Sequence, residues 1–392
     1  MQVQNNTQPA GDGLRAWQVM AGGVAAITLA LGPARFAYTP LLPLMHAQAG
    51  LSLTQGGTLA SINYAGYISG ALLVAWVERP VLRYRLYMIG LVLGVLSAAL
   101  MGVSDCYEVW AVARYIGGLA GAAAMLLGSG LVQGWLVRTG RRPELGVQFS
   151  GIGISIVISA LGTLVMAALN WNWALQWWAN AALALALLVP ALAWRPPVPP
   201  ATTTGAANGP PRRWMAWLMT SYFCAGWGFV VSATFTVAMV EHQPLLAGKG
   251  PLAWLLVGVA AAPAVFAWDR VARGIGQLQA LALAFVLQIG SVVLPARSHD
   301  LMGALGGALL YGLSFTGLVS LTLALVGRHS PGNPGKAMAR LTLSYGVAQV
   351  VAPALTGRLA QVSDSFDSSL WLTAGVLALG LLMLALVRRA ER

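Results

Sequence analysis

Two arginines stand where a charge is costly. Arg35 lies in GPARFAYTPLLPLM and Arg114 in ARYIGGLAGAAA, both within long apolar runs. A charged side chain at bilayer depth points to function and needs a partner. Arg358 is a third case, but it falls near the end of its run, where a long side chain snorkels to the interface. Arg35 follows Gly32-Pro33, and a proline removes a backbone donor and interrupts a helix. Pro40 and Pro43 loosen the next turns. Two readings of Arg35 stand. It binds an anionic group, with Tyr38 three residues on, on the same face, adding a hydrogen bond or stacking; or it caps carbonyls that the prolines free. Arg114 is either a functional cation or an interfacial residue paired with Glu108 or Asp105.

No Asp or Glu occupies the middle of any apolar run. Arginines without acids make a positive cavity, which suits a small organic anion such as a carboxylate or an amino-acid-like compound. Proton coupling then falls to the substrate's own carboxylate or to a loop acid. Efflux of lipophilic or cationic compounds is the alternative, weakened by the missing mid-membrane acid. A non-transporting sensor or scaffold is a third reading, weakened by short loops. Polar side chains that would complete a cavity are Asn63, Tyr64, Tyr67, Gln133, Tyr222, Trp227, Tyr311, Tyr345 and Gln349. For each, hydrogen bonding between helices is the competing role. Asn63, Tyr67 and Gly70 share one helical face, and Tyr345, Gln349 and Pro353 another. The histidines lack metal-ligand spacing, the two cysteines form no CxxC pair, and GxSxG, HExxH and Walker A runs are absent. Neither a metal, a cofactor, an enzyme nor an ATP-driven pump is expected.

The elements that must position these residues are membrane helices. Of 392 residues, 58% are hydrophobic and 9% charged, against about 25% charged in soluble domains. Twelve stretches approach the roughly 20 apolar residues of a crossing: 16–45, 54–77, 86–103, 109–136, 147–168, 173–193, 214–240, 252–268, 277–294, 301–327, 338–360 and 370–387. The first is too long for a signal sequence and is read as a retained helix. Loops after even-numbered stretches carry thirteen basic residues, and loops after odd-numbered stretches carry only Lys249 and Arg297. The positive-inside rule places the even-to-odd loops and both termini in the cytoplasm. The net charge of +12 is then a matter of topology, and no nucleic-acid partner is needed. Trp171, Trp173, Trp177 and Trp178 read as an interfacial belt on the opposite side.

Residues 195–213, RPPVPPATTTGAANGPPRR, form a Pro-rich, extended cytoplasmic tether. The expected organisation is a tail (1–14), a six-helix bundle (15–194), the linker (195–213), a second six-helix bundle (214–388) and a short tail (389–392). GIGISIVISALG and GVAQVVAPALTG hold glycines at the same spacing, Gly151 and Gly162, Gly346 and Gly357, as two parallel repeats would.

GPARFAYTPLLPLM and SINYAGYISGALL, with GWGFVVSATF, LLVGVAAAPAVFAW and GVAQVVAPALTG, resemble the major facilitator superfamily, and within it the YbfB/YjiJ-type branch. The resemblance covers nearly the whole chain. It implies an all-α membrane protein of two six-helix bundles working by alternating access in the inner membrane, as a monomer. Arg114 matches the arginine common in that helix of the superfamily, which is associated with proton coupling in many members. The loop between the second and third helices departs from the family pattern. WVERPVLRYR keeps basic residues including Arg79, but Glu78 alone stands for the usual Asp and Gly. The corresponding loop WDRVARGIG keeps Asp269, Arg270 and Arg273. A gating role for these loops is expected more in the second half than in the first.

Overall fold

The computed structural model describes residues 13–77, 79–141, 145–198, 211–298, 300–329 and 334–390. They form twelve long helices: α1 Ala16–Ala49, α2 Leu53–Trp76, α3 Pro80–Val103, α4 Tyr107–Arg138, α5 Leu145–Ala168, α6 Trp173–Ala193, α7 Arg212–Glu241, α8 Gly250–Ile275, α9 Gln277–Arg297, α10 Leu301–Arg328, α11 Pro334–Ser363 and α12 Asp367–Ala390. Eleven are long and apolar enough to cross a bilayer by themselves. The exception is α11, whose sequence carries Lys336, Arg340, Gln349 and Arg358. It is sheltered by protein instead, packing on α2 and α7. The tether expected at 195–213 lies mostly outside the described residues.

Helices α1 to α6 and α7 to α12 form two bundles. Leucine, valine and isoleucine stripes on the outer helices face outward: Ile89, Val92, Leu96 and Val103 on α3, and Leu372, Leu379 and Leu382 on α12 are exposed. In water such stripes would drive aggregation; in lipid they are solvated.

Both arginine-bearing helices contain a widened turn. In α1 this is Gly32–Phe36 and in α4 it is Ala123–Gly128. The Ala37 N–H donates to Gly32 O, five residues back, at 2.9 Å. Pro33 is the second residue of this turn, and it brings no N–H to the helix ladder there. The interruption expected at Pro33 is thus a single wide turn, and α1 continues through Pro40 and Pro43 to Ala49.

The halves meet where α2 packs on α11, α5 on α8, and the second part of α1 on α7. Small residues allow this. A Cβ on Gly57 would strike the Pro353 carbonyl, and one on Gly153 would lie 2.6 Å from the Ala262 backbone. Hydrogen bonds cross the interface from Thr39 Oγ1 to Ala233 O, from Thr54 N to Gln361 Oε1 at 3.1 Å and from Ala354 N to Ser61 Oγ at 3.1 Å. These lie between the centre of the bundle and the end that carries the loops at 50–52 and 364–366, so that end is closed.

The Trp belt is only partly realised. Trp178 is exposed, but Trp177 is fully buried, its Nε1–H donating to Met45 Sδ at 3.4 Å. Trp173 stands edge-on to buried Trp110 at 5.3 Å. An indole within reach of an internal acceptor packs inside rather than at the interface.

Candidate functional site

Arg35 sits in the wide turn of α1, 9% exposed. Its guanidinium carbon lies 4.2 Å from the Tyr64 ring centroid and 5.3 Å from that of Tyr67, both on α2. Phe229 of α7 is 5.9 Å away. No described residue offers Arg35 a hydrogen bond or a carboxylate, and its Nε is enclosed without a partner. The carbonyl-capping alternative therefore draws no support from the geometry. Ring faces offset part of the burial cost of a cation, but they do not neutralise it.

Arg114, 2% exposed, is held more firmly. Its Nη1 donates to Ala34 O at 3.2 Å, and its guanidinium lies 4.3 Å from the Tyr38 ring. The expected pairing of Tyr38 with Arg35 is therefore corrected. The wide turn breaks the register between positions 35 and 38, and Tyr38 serves Arg114 while its hydroxyl donates to Gly56 O at 2.8 Å. Pairing of Arg114 with Glu108 or Asp105 does not form. Both acids are exposed at the start of α4, where the Cys106 thiol donates to Glu108. Asn63 fixes the backbone beneath, its Nδ2 donating to Arg114 O at 2.7 Å. On this side α2 and α4 almost touch: a Cβ on Gly118 would overlap Asn63 O and lie 2.6 Å from Tyr67 N. Gly118→Val is expected to destabilise the protein by about 1–3 kcal/mol or more, since backbone cannot yield as a side chain does; the melting temperature in detergent reads this.

The second bundle contributes rings. Tyr311 donates to Phe229 O at 3.1 Å and stacks on Phe315 at 5.0 Å. Tyr345 lies 5.7 Å from Phe229 and 4.5 Å from Tyr222. Trp227 is buried with Nε1 unpartnered, and Gln349 is buried. Arg35, Tyr64, Tyr67, Tyr222, Tyr311 and Tyr345 thus fall in one connected group. Tyr38, Asn63 and Arg114 adjoin it through the α1 wide turn.

Of the remaining expected residues, one stands apart from this group and the others lie towards helix ends or outside the described residues. Gln133 is exposed, near the Arg138 end of α4 and outside this group. Arg358 is exposed near the end of α11, in keeping with snorkelling, and Arg340, overlooked inside the eleventh stretch, is exposed at the opposite end. Of the loop residues, Asp269 and Arg273 form an exposed ion pair one turn apart on α8, Arg270 is exposed beside them, and Arg79 precedes α3, exposed. Glu78 lies outside the described residues.

Phe229 was missed. An apolar residue in an apolar run gives no signal by itself. Its place gives one: Phe229 stands three residues after Gly226, as Arg35 stands three after Gly32. The bonded pair Thr39 and Ala233 are 194 residues apart, and Arg35 and Phe229 share that separation. Positions 194 residues apart on α1 and α7 thus face each other at the centre. The glycine pairs behave differently. Gly151 packs on α1, whereas Gly346 faces Ile68 of α2.

Comparison with known proteins fits this architecture. The model of a family described as "Uncharacterised MFS-type transporter YbfB" matches residues 27–385. No curated protein matches the chain. Among solved structures, a variant of the nucleoside transporter NupG superposes with a TM-score of 0.75 at 12% identity, covering 95% of this chain and 99% of that one. A bacterial homologue of the human lysosomal transporter Spinster, in an inward-facing and occupied conformation, gives 0.72 at 12% identity, covering 95% and 96%. At these identities the likeness is one of fold.

Proposed function

Because the chain belongs to this family of MFS-type transporters, a multi-pass membrane protein with a small-molecule substrate, we propose that it moves a small organic anion, a carboxylate or amino-acid-like compound, through the inner membrane by alternating access. The observation that carries this reading is Arg35: a buried guanidinium at the meeting point of the two bundles, touched by rings from both and by no carboxylate among the described residues. A substrate carboxylate would supply the missing charge, and Arg114, one helix away, adds to the positive potential. The efflux reading for cations gains nothing, because every described Asp and Glu lies in a loop or within about two turns of a helix end. Any coupling proton would then ride on the substrate or on such a loop acid.

Uptake of labelled solutes into liposomes containing the purified protein tests the reading. Small carboxylates are expected to enter, and amines of the same size are not; uptake of the amines alone would overturn it.

The proposal also places both termini in the cytoplasm. Cys106 is exposed at the α3–α4 loop and Cys224 is buried. A membrane-impermeant maleimide is expected to label Cys106 from the periplasmic side of intact cells. Labelling only after the cytoplasmic face is opened would reverse the orientation.

A further inference from the structure

The rings around Arg35 extend well beyond what a guanidinium needs for stacking. Phe229 is followed by Phe315 at 5.4 Å and Tyr345 at 5.7 Å; Tyr345 by Tyr222 at 4.5 Å; and Phe315 by Tyr311 at 5.0 Å. Tyr64 and Tyr67 close the group from the other bundle. Rings of α2 and α7 therefore meet the cation, and rings of α10 and α11 extend the aromatic surface behind Phe229.

Their polar ends remain available. Among the described residues no hydrogen bond engages the hydroxyls of Tyr64, Tyr67, Tyr222 or Tyr345, whereas Tyr311 is bonded to Phe229 O. None of those four hydroxyls is among the side-chain atoms enclosed without a partner, and of the Arg35 nitrogens only Nε is. The Arg35 terminal nitrogens and the free hydroxyls thus each keep a little accessible surface although their side chains are largely buried. One cation and four phenols without a protein partner are groups that a bound ligand can satisfy.

We propose that the substrate of this site is an aromatic carboxylate: a planar ring that slots among Tyr64, Phe229 and Tyr345, with its carboxylate on Arg35. The inference rests on the anion reading above and narrows it. A flat ring offers edges and faces to the surrounding π-systems, which attract one another in offset or edge-to-face geometry. A saturated ring of the same size and charge offers only apolar area. The expected preference is roughly 2- to 10-fold in affinity, the range of one or a few aromatic contacts.

Three probes separate the elements: benzoate (ring and charge), cyclohexanecarboxylate (charge without aromaticity) and benzamide (ring without charge). Thermal stability of the full-length protein in detergent is measured as each is titrated. Benzoate is expected to raise the melting temperature at concentrations several-fold below those that cyclohexanecarboxylate needs, with benzamide weaker than both. Equal potency of benzoate and cyclohexanecarboxylate overturns the aromatic inference and leaves the anion reading intact. Benzamide matching benzoate overturns the anion reading itself. Absence of any benzoate effect at tens of millimolar overturns the aromatic inference. Tyr345→Leu is expected to bring the benzoate-to-cyclohexanecarboxylate ratio towards one, and Tyr345→Phe to keep it. A ratio unchanged in Tyr345→Leu removes that ring from the site.

Discussion

Arg35→Ala is expected to abolish carboxylate uptake while leaving the protein as stable as before or slightly more so. A hydrogen bond to a charged group contributes about 1.5–3 kcal/mol, so losing the anion's main contact weakens its binding about 10- to 100-fold. Stability should move the other way. In the free protein Arg35 is a buried cation with ring contacts and no acid, and removing an uncompensated charge lifts a burial cost. A structural arginine would show the opposite pattern, a lower melting temperature and a substrate affinity close to wild type. Arg35→Lys should be intermediate, because an ammonium keeps the charge but lacks the planar fork that stacks on Tyr64 and grips a carboxylate at two points. Uptake and melting temperature measured on the same preparations decide between the two roles.

The second large effect is expected at the interface of the bundles. Gly57→Trp places a side chain where the Pro353 carbonyl stands. The overlap involves backbone on both sides and is not relieved by a rotamer change. Opening the halves at that end does relieve it, so the closed arrangement seen here should become inaccessible. Transport requires both arrangements, and uptake should fall at least about tenfold, while anion binding persists. In a background lacking Cys106 and Cys224, Gln361→Cys reports on the same end, since its parent side chain accepts from Thr54 N. It should react faster with a thiol reagent when Gly57→Trp is present. Wild-type uptake and unchanged reactivity would show that this contact does not gate the path.

Much of the architecture was legible because it rests on composition and period. Apolar runs separated by basic loops mark helices in lipid, and the polar exception α11 was still found. The details of the site were less so, for identifiable reasons. Tyr38 and Arg35 are three residues apart, which in a regular helix makes them neighbours. The wide turn at Gly32–Phe36 separates them, and wide turns have no spacing signature. Gln133 was chosen for polarity alone, which does not tell a lipid-facing or end position from a central one. Trp177 was assigned to the interface by its clustering with other tryptophans, although Met45, distant in sequence, holds it in the core. Phe229 carried no polar flag, and only its separation from Arg35, the same as that of Ala233 from Thr39, singles it out. Arg35 and Arg114 were found for the soundest reason, that a charge at bilayer depth needs an account.

The central claim is that a carboxylate sits on Arg35. Isothermal titration of one transported carboxylate into the purified wild type and Arg35→Ala proteins tests it most directly. One binding site per chain is expected in the wild type, with affinity at least about tenfold weaker in the variant. Equal affinity in the two proteins would contradict the claim and move the site away from Arg35.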